Sequence, residues 1–412
     1  MLTIEELIST IGEGAAIRRI ARLQPVGGPG DKIFPPTYPG ERQNDPPQHV
    51  FERRIVMDEE DGRRELWCVL IDSVQSQANR LEEALRDCAD EGLPIPRVTA
   101  DFSGQGLEPL TRVTSLDAPH RIYDAILRDS LLDGVPFMKS EAGRRLAAAT
   151  KADATALLEL SPTALLFGAW HSQGEGGGLG AKFERRIVSE IMGVDVPVEE
   201  VVADRRTGEL AVRSAARRGA VRIDPAGVLS KVEVFKGPDG WDLDAKGAGK
   251  GAKKVKPSEI NHSNIIAKLQ PLGVTCDHAE HRVTLSLAGL RQLRFGDPER
   301  TEAGRALIAA LGLLAVVEQD ARGYALRSRC ELVRDGPAAL EIVDADGGLH
   351  PLELTRDAAR RLYDEAYDVA EKAGFDFRSL MLTPQPKLVE IIRKSRELAL
   401  EGRGGEEEGE DG

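Results

Sequence analysis

The chain has 412 residues and a formal net charge of −13, and aromatic residues make up 4% of it. Its apolar share of 41% supports an aliphatic core, and the acidic total argues against a general nucleic-acid coat. The longest apolar run, 306–317, is too short for a spanning helix, which needs roughly 20 residues, and the acidic N-terminus lacks a signal-peptide pattern. We expect a cytoplasmic protein with no membrane partner, in which Cys68, Cys88, Cys276 and Cys330 are reduced core thiols.

Apolar periodicity predicts irregularly alternating strands and helices in the first half of the chain. Val74, Leu81 and Leu85 fall on one helical face and leave Gln75 and Asn79 on a neighbouring face. The predicted strands are 15–23, 66–71, 110–116 and 163–170, and the predicted helices begin at 74, 119 and 140. The Pro- and Gly-rich stretch between the first two strands, 25–47, is typical of an ordered loop or insertion.

In the second half, residues 182–192 fit either a strand or a helix, and we favour a strand that closes a strand-loop-strand flap with 163–170. Residues 203–256 are polar, basic and rich in glycine, and they predict a flexible arm around short strands. The remaining predicted elements are a strand at 283–287, a buried helix at 299–318, a closing hairpin at 324–333 and 340–343, and helices at 355–373 and 385–400.

The predicted strands and helices do not alternate regularly, and this pattern predicts an α+β fold, with an antiparallel sheet backed by helices. We expect a single elaborated domain over 1–400, with insertions near 25–50 and 203–256, and a disordered acidic tail at 401–412. Charge is uneven along this chain, because residues 211–256 hold eleven Lys and Arg against five Asp and Glu. Local fields decide where an anion binds, so this segment predicts an anionic partner.

A glycine-rich loop at 174–180 runs into Lys182, Arg185 and Arg186. Glycine permits close backbone approach, and the three cations favour an anion. The glycines miss the spacing of a dinucleotide fingerprint and of a Walker A loop. The loop is therefore either an anion contact or a mobile loop without a binding role.

A second glycine- and lysine-rich segment, KGAGKGAKKVK, occupies 246–256. It is either a solvated linker or a phosphate-binding arm, since each contacting cation releases condensed counterions from a nucleic acid. The small donors that follow it, at 258–264, suit phosphate or ribose contacts, and they equally suit the cap and first turn of a helix.

Other polar residues have both a functional and a structural interpretation. Gln75, Asn79 and Arg80 read either as RNA contacts or as the wet face of a capped helix. Asp72, Asp117, His120 and His171 lie at ends of predicted strands, where catalytic groups and turn residues both occur. Cys276, His278 and His281 are close enough to seed a zinc site, but no second ligand pair follows, so we favour a polar turn and no metal.

Several strings taken together resemble a known family. They are LQPVGG (23–28), FPPTY (34–38), IDSVQSQANR (71–80), SLDAPHR (115–121), LFGAW (166–170), KFERRIVSEI (182–191) and PSEINHSNI (257–265). The chain resembles, over roughly residues 14–380, the backbone subunit of a type I-G (formerly I-U) CRISPR Cascade complex, the Cas-seven-like group also called Csb or GSU-type.

This resemblance implies a RAMP-type, RRM-like core with long insertions and a binding role without cofactors. Copies of such a subunit assemble in a helical filament along the crRNA guide, beside other Cascade subunits, and leave the bases free to pair with target DNA. A thumb-like loop typically wedges between bases at intervals. Related type III subunits cut RNA with a loop aspartate, a role for which this chain shows no matching motif.

We therefore predict a crRNA-binding subunit that is not an enzyme and grips phosphates without reading sequence, since guide pairing supplies specificity. The predicted RNA-binding residues are Gln75, Asn79, Arg80, His120, Arg121, His171, Ser172, Gly176, Gly177, Gly178, Lys182, Arg185, Arg186, Lys250, Lys253, Lys254, Lys256, His262 and Asn264. One alternative is a metal-dependent endoribonuclease on the same scaffold, using Asp72, Asp117 or His171. The other is a protein-only scaffold in which the basic arm meets the acidic tail of a neighbour.

Overall fold

The computed structural model describes residues 2–39, 47–58, 62–171, 182–198, 200–203, 210–213, 217–218, 225–262, 269–270 and 272–402. It forms two compact units. Unit 1 comprises Met1–Val198 and Val274–Val389, and unit 2 comprises Glu199–Gly273 and Glu390–Gly412. Helices and antiparallel sheets occur together, so the predicted α+β class is confirmed. None of the described helices is both long and apolar enough to span a bilayer.

The helices are α1 (Ile4–Glu13), α2 (Val74–Asp90), α3 (Ala125–Arg128), α4 (Glu141–Ala148), α5 (Thr155–Leu160), α6 (Pro162–Phe167), α7 (Leu287–Leu290), α8 (Pro298–Arg322), α9 (Arg356–Lys372) and α10 (Pro386–Gly402). Short 3-10 turns occupy Arg121–Tyr123, Phe137–Lys139 and Pro257–Ile260.

The first strands are β1 (Ala16–Pro25), β2 (Phe51–Asp58), β3 (Gly62–Asp72), β4 (Val98–Asp101), β5 (Arg112–Thr114), β6 (Ser130–Leu132), β7 (Val135–Pro136), β8 (Ala169–Trp170), β9 (Lys182–Phe183), β10 (Ile187–Val194), β11 (Glu200–Ala203) and β12 (Leu210–Arg213). The others are β13 (Arg217–Arg218), β14 (Val234–Gly237), β15 (Gly240–Asp242), β16 (Lys253–Val255), β17 (Leu269–Gln270), β18 (His278–Ser286), β19 (Tyr324–Arg327), β20 (Cys330–Arg334), β21 (Leu340–Val343), β22 (Leu349–Leu352) and β23 (Leu380–Pro384).

The main sheet of unit 1 has the strand order β19-β20-β1-β18-β10-β3-β2, and β21 also pairs with β1 and with β22. Neighbouring strands are antiparallel throughout. In β1 the burial alternates, so that Ile17, Ala21 and Leu23 face the core while Ile20 and Arg22 face outward. This period of two is what a sheet with one covered face requires.

Helices α2, α6 and α8 pack on the covered side of the main sheet. Helix α8 begins at a favourable start, with Pro298 at the first turn and the Asp297 side chain accepting from the Arg300 N–H at 3.0 Å. Its apolar run from 306 to 316 is buried on every side, as the sequence predicts. Helix α2 begins in the same way, because the Ser73 side chain accepts from the Ser76 N–H at 3.3 Å.

Three predictions of secondary structure are wrong. The predicted strand 163–170 is helix α6 followed by the two-residue strand β8, and the predicted helix 119–128 is a 3-10 turn followed by α3. The predicted closing hairpin forms within 324–334 alone, as β19 and β20, while β21 pairs with β1 and β22. The short apolar run of α6 is buried on all sides, and such a run has no period that separates helix from strand.

A buried aspartate fixes the start of α2 to the sheet. Asp72 has no exposed surface, and it accepts from Ser76 Oγ at 2.9 Å, Gln77 Nε2 at 2.6 Å, Arg80 Nε at 2.9 Å and Arg327 Nη2 at 2.7 Å. A buried carboxylate is tolerated when it is paired and hydrogen-bonded. Asp72 is thus a structural anchor between α2 and the hairpin that contains β19.

The same network continues through His281, which is fully buried in β18. Arg19 Nη2 lies 3.3 Å from His281 Nδ1, and an arginine only donates, so Nδ1 is the acceptor. Nε2 then carries the proton and donates to Ser189 Oγ at 2.7 Å, which leaves the serine hydroxyl to donate to Gln77 Oε1 at 2.9 Å. Burial and the charge of Arg19 lower the pKa of His281 to about 3, so the ring is neutral near pH 7.

Replacing His281 by Gln should remove a pH dependence of stability. The ordinary histidine pKa is 6.5, so between 6.5 and about 3 the unfolded chain binds one proton more than the folded chain. The stabilisation is complete above pH 6.5 and falls as the pH drops, by about 1.4 kcal/mol between pH 7.5 and 5.5. Urea unfolding at both values should show this extra loss in the wild type and in the control His350→Gln, whose side chain is exposed. An equal loss in His281→Gln would contradict the assignment.

Unit 2 contains short antiparallel pairs. Strands β11 and β12 pair with each other, β13 pairs with β17, and β14 lies between β15 and β16 in a three-stranded sheet. The predicted flexible arm therefore contains a sheet at 234–255. The predicted disorder of 401–412 falls almost wholly outside the described residues.

Candidate nucleic-acid interface

A two-stranded ribbon in unit 1 carries the predicted glycine loop. Strand β8 pairs antiparallel with β9, which places Trp170 opposite Lys182. The Trp170 side chain is 55% exposed, and Lys182 is also exposed. Of the predicted strand-loop-strand flap, a two-residue pairing between 169–170 and 182–183 is present, whereas Ser172, Gly176, Gly177 and Gly178 lie outside the described residues.

A buried ion pair holds the base of this ribbon. Arg121 donates through Nε and Nη2 to the two carboxylate oxygens of Glu82, at 2.7 Å each, and through Nη1 to the Gly168 carbonyl at 3.0 Å. Gly168 has φ +86°, and an added Cβ would lie 3.0 Å from the Phe183 carbonyl, so the turn needs glycine. Burial raises the pKa of Glu82, against the opposing charge of Arg121.

The arginines that follow Lys182 also support the ribbon. Arg185 Nε donates to the Phe167 carbonyl at 3.2 Å, and burial together with nearby Arg121 lowers its pKa, against the attraction of Glu82. Arg186 is 4% exposed, its Nη2 lies 3.5 Å from Glu184, and burial lowers its pKa. Arg121 and Arg186 thus point into the protein, Arg185 is partly buried, and of the three cations that follow the glycine loop only Lys182 is exposed.

The two predicted histidines of this region differ in exposure. His171 is 9% exposed and stacks on Tyr123, with ring centroids 4.8 Å apart. Burial, and to a lesser degree Arg128, lowers the pKa of His171, so the ring is neutral near pH 7. His120 is exposed and begins the 3-10 turn, where its N–H donates to Asp124 at 3.2 Å.

Helix α2 presents Gln75 and Asn79 to solvent, as predicted. Arg80 is partly buried, because it donates to Asp72 and, through Nη2, to the Leu326 carbonyl at 2.7 Å. The helix therefore has a solvent-exposed polar face, which both interpretations, RNA contact and an ordinary helix surface, require. Arg80 also has a structural role.

The lysine sheet, which we define as β14, β15, β16, the turn 244–252 and the adjoining Lys256, carries the second predicted segment. Lys250, Lys253, Lys254 and Lys256 are all exposed. Lys254 forms an ion pair with Glu233 at 2.6 Å, with both side chains more than half exposed, so the pair is weak and is screened by salt.

The glycines of this segment build the turn. An added Cβ at Gly249 would lie 2.4 Å from Asp239 Oδ2, and one at Gly247 would lie 2.1 Å from Asp242 Oδ2. Gly249 also has φ +95°. These glycines let the turn pack against the β14–β15 hairpin, which fixes the base from which the lysines project.

Two exposed tryptophans, Trp170 and Trp241, were not among the predicted site residues. Trp241 lies on β15, is 50% exposed, and makes an edge contact with His262 at a centroid distance of 5.9 Å. A single Trp directly after a glycine, in a long polar segment, was the available signal. The other predicted contact beyond this sheet, Asn264, lies outside the described residues.

The outer face of the main sheet bears charge pairs. Strands β1, β10 and β18 contain no Phe, Tyr or Trp, as expected for a sheet that does not stack bases. Arg22 lies 3.4 Å from Asp277, and Arg282 lies 2.5 Å from Glu280. These arginines are at least partly neutralised by neighbouring carboxylates.

The residues proposed for metal or acid-base chemistry are engaged elsewhere. The pKa of Asp117 is lowered: burial alone would raise it, but hydrogen bonds from Arg86 and Thr114 outweigh that effect. Burial raises the pKa of the Cys276 thiol to about 12, so it is protonated near pH 7. Across the residues that the structure describes, no group of three or more His, Cys, Asp or Glu side chains comes together as a metal site.

Comparison with known families gives a match to the first part of the chain. Residues 17–198 match the family described as CRISPR-associated protein GSU0053. The match supports a CRISPR-associated protein and a role in CRISPR defence. The matched segment contains the ribbon and α2, and it ends before the lysine sheet. No curated protein matches the chain.

Proposed function

We propose that the protein is the crRNA-binding backbone subunit of a type I-G Cascade complex. In this role it polymerises along the guide in a helical filament, contacts other Cascade subunits, and presents the guide for pairing with target DNA. The observation that carries the proposal is the lysine sheet, where Lys250, Lys253 and Lys256 are exposed on an otherwise acidic chain. Clustered exposed cations provide the salt-dependent, sequence-independent contacts that a phosphate backbone requires.

The strand order of unit 1 supports an RRM-like core. Strands β1, β10, β18 and β20 follow one another along the chain, with α2 before β10 and α8 before β20. In the sheet, β20 lies beside β1, and β18 lies between β1 and β10. These are the order and the pairing of a βαββαβ unit, to which β2, β3, residues 91–186 and residues 195–277 are added.

The exposed residues of the ribbon and of α2 provide further contacts in this proposal. Lys182 supplies a cation beside the exposed Trp170, and Gln75, Asn79 and His120 supply donors. Arg80, Arg121, His171, Arg185 and Arg186 keep the supporting roles described above, so we do not rest the proposal on them. The metal-dependent endoribonuclease is an outcome of the binding test, because cleavage with Mg²⁺ or Mn²⁺ would be seen in the same mixtures.

Replacing Lys182 by Gln should weaken single-stranded RNA binding about four-fold at 0.15 M salt. One lost phosphate contact lowers the slope of log K against log salt by about 0.7 for a single strand, which gives that factor. Fluorescence anisotropy with two RNAs of unrelated sequence would measure it, with the exposed Lys139→Gln as the charge-matched control. A loss confined to one of the two sequences would show base reading and overturn phosphate contact.

A further inference from the structure

A row of three side chains crosses the lysine sheet. Lys236 of β14 is paired with Trp241 of β15 on one side and with Lys253 of β16 on the other. Side chains directly opposite each other in antiparallel strands point to the same face, with Cβ atoms about 5 Å apart. The row therefore places an indole and two ammonium groups side by side on one face.

The neighbouring row of the same face is apolar and anchors the sheet. Val234 is paired with Val255, and Val234 is 2% exposed. Two residues further along, Lys253 is exposed and Trp241 is half exposed. The face thus passes from a packed end to a more open end, where Trp241 and Lys253 are exposed, while Lys236 between them is partly buried and donates to the Glu259 carbonyl at 3.4 Å.

The indole in this row is positioned to receive a flat ligand. His262 makes an edge contact with it at an interplanar angle of 68°, and one edge contact covers at most one face of the indole. A half-exposed tryptophan costs hydrophobic free energy that a stacked base recovers, and every base has a face suited to stacking. Both lysines lie on the same side of the indole, Lys236 on the neighbouring strand and Lys253 one strand further, where they can meet the phosphates that follow such a base.

We propose that the Trp241–Lys236–Lys253 row binds a single-stranded polynucleotide by stacking one unpaired base on Trp241, with the phosphates on one side of that base held by the lysines. The inference rests on the proposed RNA-binding role and adds to it a stacking residue in unit 2. The local excess of cations at 246–256 favours a polyanion over a protein partner. Stacking uses the face of the base and no base edge, so the site tolerates any sequence.

The test compares Trp241→Leu and Trp241→Phe in the full chain. Binding of 12-nucleotide oligo(U) and oligo(dT) should weaken roughly 5- to 150-fold in Trp241→Leu, and Phe should restore most of it. The salt slope should be unchanged in both variants, because no charge is lost, whereas Lys253→Gln should lower it by about 0.7. Leu229→Ala is the matched control, since that side chain is 70% exposed in the same unit. The oligo(U) and oligo(dT) arms tell whether RNA, DNA or both occupy the site.

A second measurement avoids substitution of Trp241. With Trp67 and Trp170 replaced by Phe, Trp241 is the remaining tryptophan, and either oligonucleotide should quench its fluorescence while a 12-base-pair duplex should not. If Trp241→Leu leaves the affinity for both strands unchanged and no quenching occurs, the stacking site is wrong while lysine-dependent RNA binding stands. If the wild type binds neither strand, both proposals fail. An effect of Trp241→Leu on self-association alone would assign the row to a protein contact and overturn the inference.

Discussion

Replacing Lys250, Lys253 and Lys256 together by Gln is expected to weaken single-stranded RNA binding roughly 50-fold at 0.15 M salt. Each phosphate contact contributes a factor of about four at this salt concentration, and three contacts multiply. The slope of log K against log salt should fall by about two. All three side chains are exposed, so glutamine, which keeps much of the aliphatic stem, should leave the folded structure intact.

The control for this triple variant is Lys139→Gln, Lys372→Gln and Lys387→Gln combined. These three lysines are also exposed, and the net charge changes by the same amount. A general effect of net charge would weaken RNA binding equally in both triples. Local phosphate contact weakens it in the first triple alone. Equal losses would remove the lysine sheet from the interface. Lys254 is left unchanged in the design because it pairs with Glu233.

Replacing Glu82 by Gln is expected to cost about 3–5 kcal/mol of folding stability. The substitution leaves the buried guanidinium of Arg121 without its charged partner, and an uncompensated buried charge is strongly destabilising. Burial raises the pKa of Glu82 to about 7, which opposes this cost, so the prediction is based on the two 2.7 Å hydrogen bonds to Arg121 and on the charge that Arg121 would keep. Chemical unfolding at pH 8 measures the ionised carboxylate.

The adjacent Glu83 provides the control. Its side chain is 45% exposed and pairs at 3.5 Å with the partly exposed Arg322, so Glu83→Gln should cost less than about 1 kcal/mol. Replacing both Glu82 by Leu and Arg121 by Met should recover part of the stability lost in Glu82→Gln, because the buried charge is removed with its partner. Similar costs at positions 82 and 83 would mean that the pair does not hold the base of the ribbon.

Long periodic elements could be predicted from the sequence, whereas short apolar ones could not. Helix α8 carries a cap, a first-turn proline and a long apolar run, and each of these signals acts within a few residues. All six residues of α6 are buried, five of them apolar, so the burial has no period that a sequence pattern could show. Its helical state depends on the tertiary structure around it, which no local pattern encodes.

The candidate site shows a similar division. The sequence correctly located cation-rich segments next to glycines, but composition does not tell which cation faces solvent. Lys182 and Arg186 are four residues apart, and the first is exposed while the second is buried. Their exposure differs because the chain enters β10, which pairs with β18, directly after Arg186. The Arg186 N–H also donates to the Leu166 carbonyl at 2.8 Å, which holds this residue against α6.

The two exposed tryptophans show what strand register adds to sequence. Trp170 and Lys182 are separated along the chain by the glycine loop, and Trp241 is twelve residues from Lys253. Pairing β8 with β9, and β15 and β16 with β14, brings each indole beside lysine on one face. Each indole–lysine pair is formed by strands that are distant in sequence, so no local sequence motif predicts it.

The most direct test of RNA binding is the affinity of the purified full chain for two single-stranded RNAs of unrelated sequence, measured between 0.05 and 0.3 M salt. A phosphate-gripping subunit should bind both with nearly equal Kd, and log K should fall linearly with log salt with a slope of about −2 or steeper. A Kd that does not change with salt, or that differs strongly between the two sequences, would contradict the account.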